Sequence, residues 1–484
     1  MNCEFCRKNV MIRTGLFLFL AMEAVLSIWT CREYAGHVYI YLMFTLVANL
    51  LLFSGFRKKA IFFDAFIGAF FWLGFWLKLS VRVSFSGGMF FEAVGQFDGS
   101  GAAFDRALLV ATCGMSGFLL ASLLREWFFN YPERIEETSL EGLSGFYRDH
   151  RKWVLPAFFI LFMLVAASNV HLGIYQRGGV TKTFLPFGLN GVFKWLLLFG
   201  LASISALILR FEQEAGKETS YPVVILCLLE GFSSNVSMLS RGMILNSGAL
   251  IYGLLRGRSH YSTGDGIRFF AKTTLLLGFL FAISVFGVNY LRSYVYLADV
   301  HPVSQGSAKA TGRHLEEAKD MTTPLFVDRW VGMEGVMAVS SYSGLGMDLW
   351  KKAWKESYNE NQTSFYDRTL IRSPYLDTDK SLHHYISLPG IVAFFFYPGS
   401  FVLLFFSTFA LGMLAALLEV MTYLLGGRNI VLCSLLAEVV AFRYASFGYV
   451  PAQSYLLFGT IVLNLVLIHL ANRILTGRTP GFGR

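Results

Sequence analysis

Charge is scarce in this chain. Asp, Glu, Lys and Arg together make up 15% of its 484 residues, whereas soluble domains carry about 25%. So few charges cannot clothe a water-facing surface, which argues against a soluble globular protein. Cysteine is scattered, at Cys3, Cys6, Cys31, Cys113, Cys227 and Cys433. The Cys3-x-x-Cys6 pair lacks the second half that a zinc site needs, and no cysteine lies between residues 292 and 386 to frame that stretch with a disulfide. There is no Walker phosphate loop, no dinucleotide fingerprint and no His-x-x-x-His pair, so ATP-driven transport, nicotinamide redox chemistry and a metal site lose support. No cofactor and no metal are expected. The first apolar run has a basic flank but no small-residue cleavage site after it, which favours a retained helix over a removed signal peptide.

What the chain has in abundance is apolar length. Hydrophobic residues make up 55% and aromatic residues 16%. Continuous apolar runs of about 17–25 residues recur, each long enough for roughly 30 Å of hydrocarbon. A membrane β-barrel would alternate over segments of about ten residues instead. The reading is an all-α integral membrane protein with about twelve transmembrane helices, near 14–31, 36–55, 60–79, 106–124, 153–171, 188–209, 221–239, 242–256, 269–290, 398–424, 430–448 and 452–472. Residues 1–484 form a single polytopic domain, with one large polar loop at 292–386.

The net charge of +9 is not a nucleic-acid patch, because the cations gather in alternate short loops. One set holds Arg7, Lys8, Arg13, Arg57, Lys58, Lys59, Arg125, Arg134, Arg148, Arg151, Lys152, Arg210, Lys217, Arg256, Arg258, Arg268, Lys272, Arg428, Arg473, Arg478 and Arg484. Positive loops stay inside, so this set and both termini are expected in the cytoplasm and the large loop outside. Within the loop, helices are expected at 306–320 and 344–358. The stretch 386–397, ahead of Pro398-Gly399, reads as a short interfacial or re-entrant helix.

Charged groups at membrane depth are costly and mark functional sites or ion pairs. On one helix Glu230, Ser234, Ser237 and Arg241 fall within about 40° of each other, a polar stripe ending in a cation at the outer surface. Glu438 and Arg443 stand about 140° apart on another helix, so each must find its partner elsewhere. Glu23, Asp64 and Glu419 read as structural ion-pair members. Near the external helix ends lie Arg177, Arg292 and Arg329, which with Arg241 are candidates to line one basic cavity. Arginine suits a phosphate through its permanent charge and planar fork. His301, His314, His383, His384, Asp320, Asp328 and Glu334 are candidate acids and bases in the loop. Trp330, Tyr342, Trp350, Trp354, Tyr358 and Tyr375 offer either sugar-stacking faces or packing.

Three stretches carry a resemblance. Asn235-Val-Ser-Met-Leu-Ser-Arg241-Gly242, Phe326-Val-Asp-Arg329-Trp330-Val-Gly-Met-Glu334-Gly, and Leu388-Pro389-Gly390 with Tyr397-Pro398-Gly399-Ser400 resemble Wzy-type O-antigen polymerases, bacterial oligosaccharide repeat-unit polymerases. Leu185-Pro186-Phe187-Gly188-Leu189-Asn190-Gly191 is similar too, and the layout matches over nearly the whole chain. The resemblance implies a GT-C-like, metal-independent glycosyltransferase in the bacterial cytoplasmic (inner) membrane. It would move a growing glycan from undecaprenyl pyrophosphate to an incoming lipid-linked repeat unit without any cofactor, with membrane lipids and a chain-length regulator protein as partners. Arg241, Arg292, Arg177 and Arg329 would hold the pyrophosphate, and His384, His383, Glu334 or Asp328 would serve as the base. The alternatives are an O-antigen ligase-like enzyme, and a transporter or flippase of lipid-linked sugars, which the lack of inverted repeats disfavours.

Overall fold

The computed structural model describes residues 2–132, 137–215, 220–240, 242–256, 264–300, 327–377, 379–381 and 383–477. The described chain is all-helical and has no strand, only an isolated bridge between Gly179 and His383. Each of the twelve expected apolar runs is helical. In chain order they are α1 (Asn2–Glu33), α2 (Val38–Ser54), α3 (Phe62–Ser86), α4 (Gly101–Arg125), α5 (Glu141–Leu172), α6 (Pro186–Ala215), α7 (Tyr221–Ser237), α8 (Met243–Arg256) and α9 (Gly264–Val300). After the large loop's own helices α10 (Met333–Ser340), α11 (Met347–Trp354) and α12 (Ile391–Phe395) come α13 (Phe401–Leu425), α14 (Ile430–Ala445) and α15 (Ser454–Leu475). Among the described residues, eight helices are long and apolar enough to cross a membrane. The protein is therefore a multi-pass membrane protein. The expected 344–358 helix is present as α11 and the short 386–397 helix as α12, whereas 306–320, His301, His314, Asp320 and Arg241 lie outside the described residues.

Burial sorts the long helices into an inner and an outer set. Of the apolar window of α3, 78% is buried, and of α4, 61%, against 28% or less for α1, α5, α9, α13 and α15. The outer five present leucine, phenylalanine and isoleucine outward, as Phe17, Ile160, Phe279, Phe406 and Leu467 show. That is the expected surface when lipid is the solvent. The inner helices α2, α3, α4, α8 and α14 pack on one another through small residues. A Cβ on Gly68 would meet the Leu51 carbonyl at 2.8 Å, and one on Gly253 would meet Ser434 Cβ at 2.8 Å. Close backbone approach of this kind is how helices associate where water gives no hydrophobic drive.

Successive long helices run between the same two ends of the bundle. At one end sit the basic short loops. Arg125 Nη2 pairs with Asp64 Oδ2 at 2.5 Å and its Nη1 donates to the Lys59 carbonyl at 2.8 Å. Arg57 pairs with Glu126 at 2.7 Å and Arg210 with Glu214 at 2.9 Å. Glu419 accepts from Phe62 N at 2.8 Å and Phe63 N at 2.9 Å, satisfying the free N–H groups that open α3. Asp64 is thus an ion-pair member as expected, whereas Glu419 serves instead as an acceptor for backbone N–H groups and the Tyr131 hydroxyl. Side chains also open other helices: Ser100 Oγ accepts from Ala103 N at 3.2 Å, and Asn429 Oδ1 from Val431 N at 3.0 Å.

The opposite end carries the large loop, and its described part is docked rather than draped. Gly335 lies so close to Pro389 that a Cβ there would fall 1.9 Å from the Pro389 carbonyl oxygen. Gly335→Ala is expected to destabilise the protein by about 1–3 kcal/mol through overpacking. Thermal unfolding in detergent checks this against Gly278→Ala, where a Cβ meets nothing within 4 Å; equal midpoints would contradict the docking.

Candidate functional site

The site begins with an irregularity in α3. Residues Trp72–Leu77 form a π-helical turn, a feature that accumulates at functional positions because it re-aims the side chains that follow. The backbone of Val331-Gly332 rests on this turn: a Cβ on Gly74 would stand 2.3 Å from the Val331 carbonyl oxygen. Only glycine permits that approach. Immediately afterwards Lys78 and Arg82, one helical turn apart, face the arriving loop. Lys78 Nζ donates to both Glu334 oxygens, at 2.8 and 2.9 Å, and to the Asp328 carbonyl at 2.9 Å. Arg82 Nε donates to Asp328 Oδ1 at 2.9 Å, and its Nη2 to Oδ2. Lys78 and Glu334 are both buried. Burial pushes the Glu334 carboxyl above its ordinary range, against the pull of the Lys78 ammonium.

Beside these pairs lies a cavity of about 130 Å³, lined by Lys78, Glu92, Asp328, Arg329, Glu334 and Tyr366, with Ser387 and Leu388 closing one side. Asp367 stands behind that side, fully buried. Its Oδ2 accepts from Ser364 Oγ at 2.6 Å and Ser387 N at 3.0 Å, while its Oδ1 has no hydrogen-bond partner among the described residues.

A second assembly adjoins the first and is built around the turn that joins α7 to α8. Asn169, fully buried, donates to the Ser237 carbonyl at 2.9 Å and the Tyr175 carbonyl at 3.0 Å, and accepts from Tyr175 N at 2.9 Å. It staples the Tyr175–Gly179 loop to the end of α7. Arg177 N then donates to the Met238 carbonyl at 2.9 Å. From α9, Arg292 Nε donates to the Leu239 carbonyl at 2.9 Å and its Nη2 to the Arg177 carbonyl at 3.4 Å. Arg329 reaches the same turn from the cavity, since its Nη2 stands 3.9 Å from where a Cβ on Gly242 would be. The Arg292 and Arg329 guanidinium groups therefore both reach this turn, which the Arg177 backbone also joins, and Arg329 connects it to the carboxylate cavity. Arg241 belongs to that turn in sequence but is outside the described residues. The first turn of α8 follows at Met243, with Leu245 N donating to the Gly242 carbonyl at 3.0 Å.

The remaining expected residues take several places. His384 N donates to the Gly178 carbonyl at 3.1 Å, next to Arg177. Its Nδ1 lies 3.1 Å from the Glu360 carbonyl and its Nε2 3.0 Å from the Tyr449 hydroxyl, so both ring nitrogens are engaged. His383 is buried, bridges Gly179 and stacks on Tyr385 with ring centroids 5.4 Å apart. In the membrane interior Glu230 accepts from Ser234 Oγ at 2.8 Å, and Ser237 lies buried further along the same stripe. Arg443 donates to Ser454 Oγ at 3.2 Å and lies over Phe447, not against Glu438. Glu438 instead has the Arg177 guanidinium as its nearby charge, and neither of its oxygens accepts a hydrogen bond from the described residues. The loop tryptophans pack: Trp354 meets Phe394 at 5.3 Å and Trp330 stacks on Phe70 at 6.0 Å.

Glu92, Lys78, Arg82, Asn169 and Asp367 were not singled out by the sequence. Lys78 carried a signal, a lysine inside an apolar run, which demands a counter-ion. Glu92 sits in the irregular link between α3 and α4 and carried none. No protein-family model, no curated protein and no solved structure matches this chain.

Proposed function

We propose that this protein is a lipid-linked oligosaccharide polymerase of the O-antigen polymerase type. It transfers a growing glycan from undecaprenyl pyrophosphate to an incoming lipid-linked repeat unit at the outer face of a bacterial cytoplasmic membrane. All twelve long helices cross the membrane in a GT-C-like arrangement, with both termini and the basic loops in the cytoplasm. The observation that carries this reading is the approach of the Arg292 and Arg329 guanidinium groups to the turn between α7 and α8, where the Arg177 backbone also docks, next to a carboxylate-lined cavity. A diphosphate leaving group develops negative charge, and fixed cations in a poorly hydrated site stabilise it without reorganising. The N-terminus of α8, where a helix dipole favours negative charge, opens at the same turn. The acceptor's sugar hydroxyl then occupies the cavity. Partners are the two lipid-linked oligosaccharides, the surrounding lipid and a chain-length regulator.

The test is transfer by the purified protein in lipid vesicles supplied with a lipid-linked repeat unit. A ladder of products longer by whole repeats is expected. Extension of a lipid A core or protein acceptor alone would make it a ligase. Movement of the donor across the bilayer without a covalent product would make it a flippase.

A further inference from the structure

Among the carboxylates of the cavity, Glu92 differs in how it is held. Asp328 gives both oxygens to Arg82, and Glu334 gives both to Lys78. Those two are neutralised and their lone pairs occupied, so neither is free to take a proton without breaking a buried pair. Both ring nitrogens of His384 are likewise bonded. Glu92 is half-buried, lines the cavity and accepts no hydrogen bond from the described residues. It is the carboxylate with lone pairs available to an incoming hydroxyl.

We propose that Glu92 is the catalytic base of the transfer, on the reading of the site given above. The acceptor's sugar hydroxyl enters the cavity and gives its proton to the Glu92 carboxylate. The hydroxyl oxygen forms a bond to the donor's anomeric carbon. The bond between that carbon and the pyrophosphate oxygen breaks, and its electron pair leaves with undecaprenyl pyrophosphate onto the arginine cluster. Protonated Glu92 then loses its proton to water, and the balance needs no other reactant.

The surroundings fit this duty. Glu334 from α10, Asp328 ahead of it and Asp367 all face Glu92 with negative charge, Lys78 from α3 faces it with positive charge, and Arg329, Tyr366 and Tyr375 are also near. Burial first, and the Glu334 charge next, push the Glu92 carboxyl above the ordinary carboxylate range, with Lys78 opposing. A base with a raised pKa takes a hydroxyl proton more readily. Only its deprotonated form acts, so turnover should rise with pH through that raised value and then level.

The experiment measures transfer by wild type, Glu92→Gln and Glu92→Asp in vesicles, from about pH 4 to pH 8. Glu92→Gln is expected to lose about 10²–10⁴-fold in kcat, with little change in KM for the lipid-linked donor and no acidic limb in its residual rate. Glu92→Asp is expected to retain a displaced acidic limb. Turnover of Glu92→Gln within about threefold of wild type, or a wild type without an acidic limb, overturns the proposal for Glu92 and leaves the polymerase reading standing. A wild-type protein that transfers nothing overturns the polymerase reading itself, and this proposal with it. If Glu92→Gln does not fold, the wild-type profile and Glu92→Asp still decide.

Discussion

Replacing Arg292 by alanine is expected to lower glycan transfer by about 10²–10³-fold, the usual cost of losing one fixed charge from an anion-stabilising site. The side chain does two things at once. Its Nε holds the Leu239 carbonyl at 2.9 Å and its Nη2 approaches the Arg177 carbonyl, so it ties the α7–α8 turn to the Tyr175–Gly179 loop. Its charge also adds to that of Arg329 beside the same turn. Arg292→Lys keeps the charge but loses the planar fork that spans two carbonyls, so an intermediate loss is expected. Exposed Arg473, at the far end of the bundle, is the control, and Arg473→Ala should leave transfer unchanged. Product length on gels and single-turnover rates in vesicles read all three. Normal ladders from Arg292→Ala, or from Arg177→Ala beside it, would remove the arginine cluster from the chemistry.

The same residues show what a sequence reveals and what it hides. Helix positions were legible because lipid imposes a length and an apolarity that few other pressures mimic. The runs expected at 221–239 and 242–256 appear as Tyr221–Ser237 and Met243–Arg256. Arg177 and Arg292 were legible as candidates because a cation at a helix end stands out in so apolar a chain. The docking of the Arg177 backbone at the turn that Arg292 grips rests on Asn169, an uncharged residue that binds Tyr175 on one side and Ser237 on the other, and a polar side chain near a helix end has many duller uses. The carboxylates show the opposite limit. Asp328 and Glu334 look like bases in the sequence, but their partners Arg82 and Lys78 lie about 250 residues earlier, and periodicity within one helix cannot pair residues across that distance. The π-helical turn at Trp72–Leu77 is equally hidden, since it depends on the Val331-Gly332 backbone lying against Gly74. Glu92 is placed by neither period nor motif, only by what the loop brings against it.

Lys78→Ala carries the largest expected effect on stability. Lys78 and Glu334 are 1% and 6% exposed at the side chain, so removing the ammonium strands a carboxylate in an interior that cannot solvate it. Breaking a buried pair from one side costs about 3–5 kcal/mol, a large part of the net stability of any fold. The loss should be concentrated where the pair acts. Lys78 Nζ also holds the Asp328 carbonyl, so the stretch from Asp328 to Glu334 should come away from α3 and carry Arg329 away from Gly242. Loss of transfer should accompany the loss of stability. Removing both charges together separates the two effects. Lys78→Met with Glu334→Leu leaves no buried charge unpaired, and such replacements are often neutral or stabilising. The double variant should therefore unfold at or above the wild-type midpoint in detergent, while Lys78→Ala unfolds well below it. A single variant as stable as wild type would mean that the pair is solvated and the loop is not seated on α3, since a buried carboxylate cannot lose its paired cation at no cost.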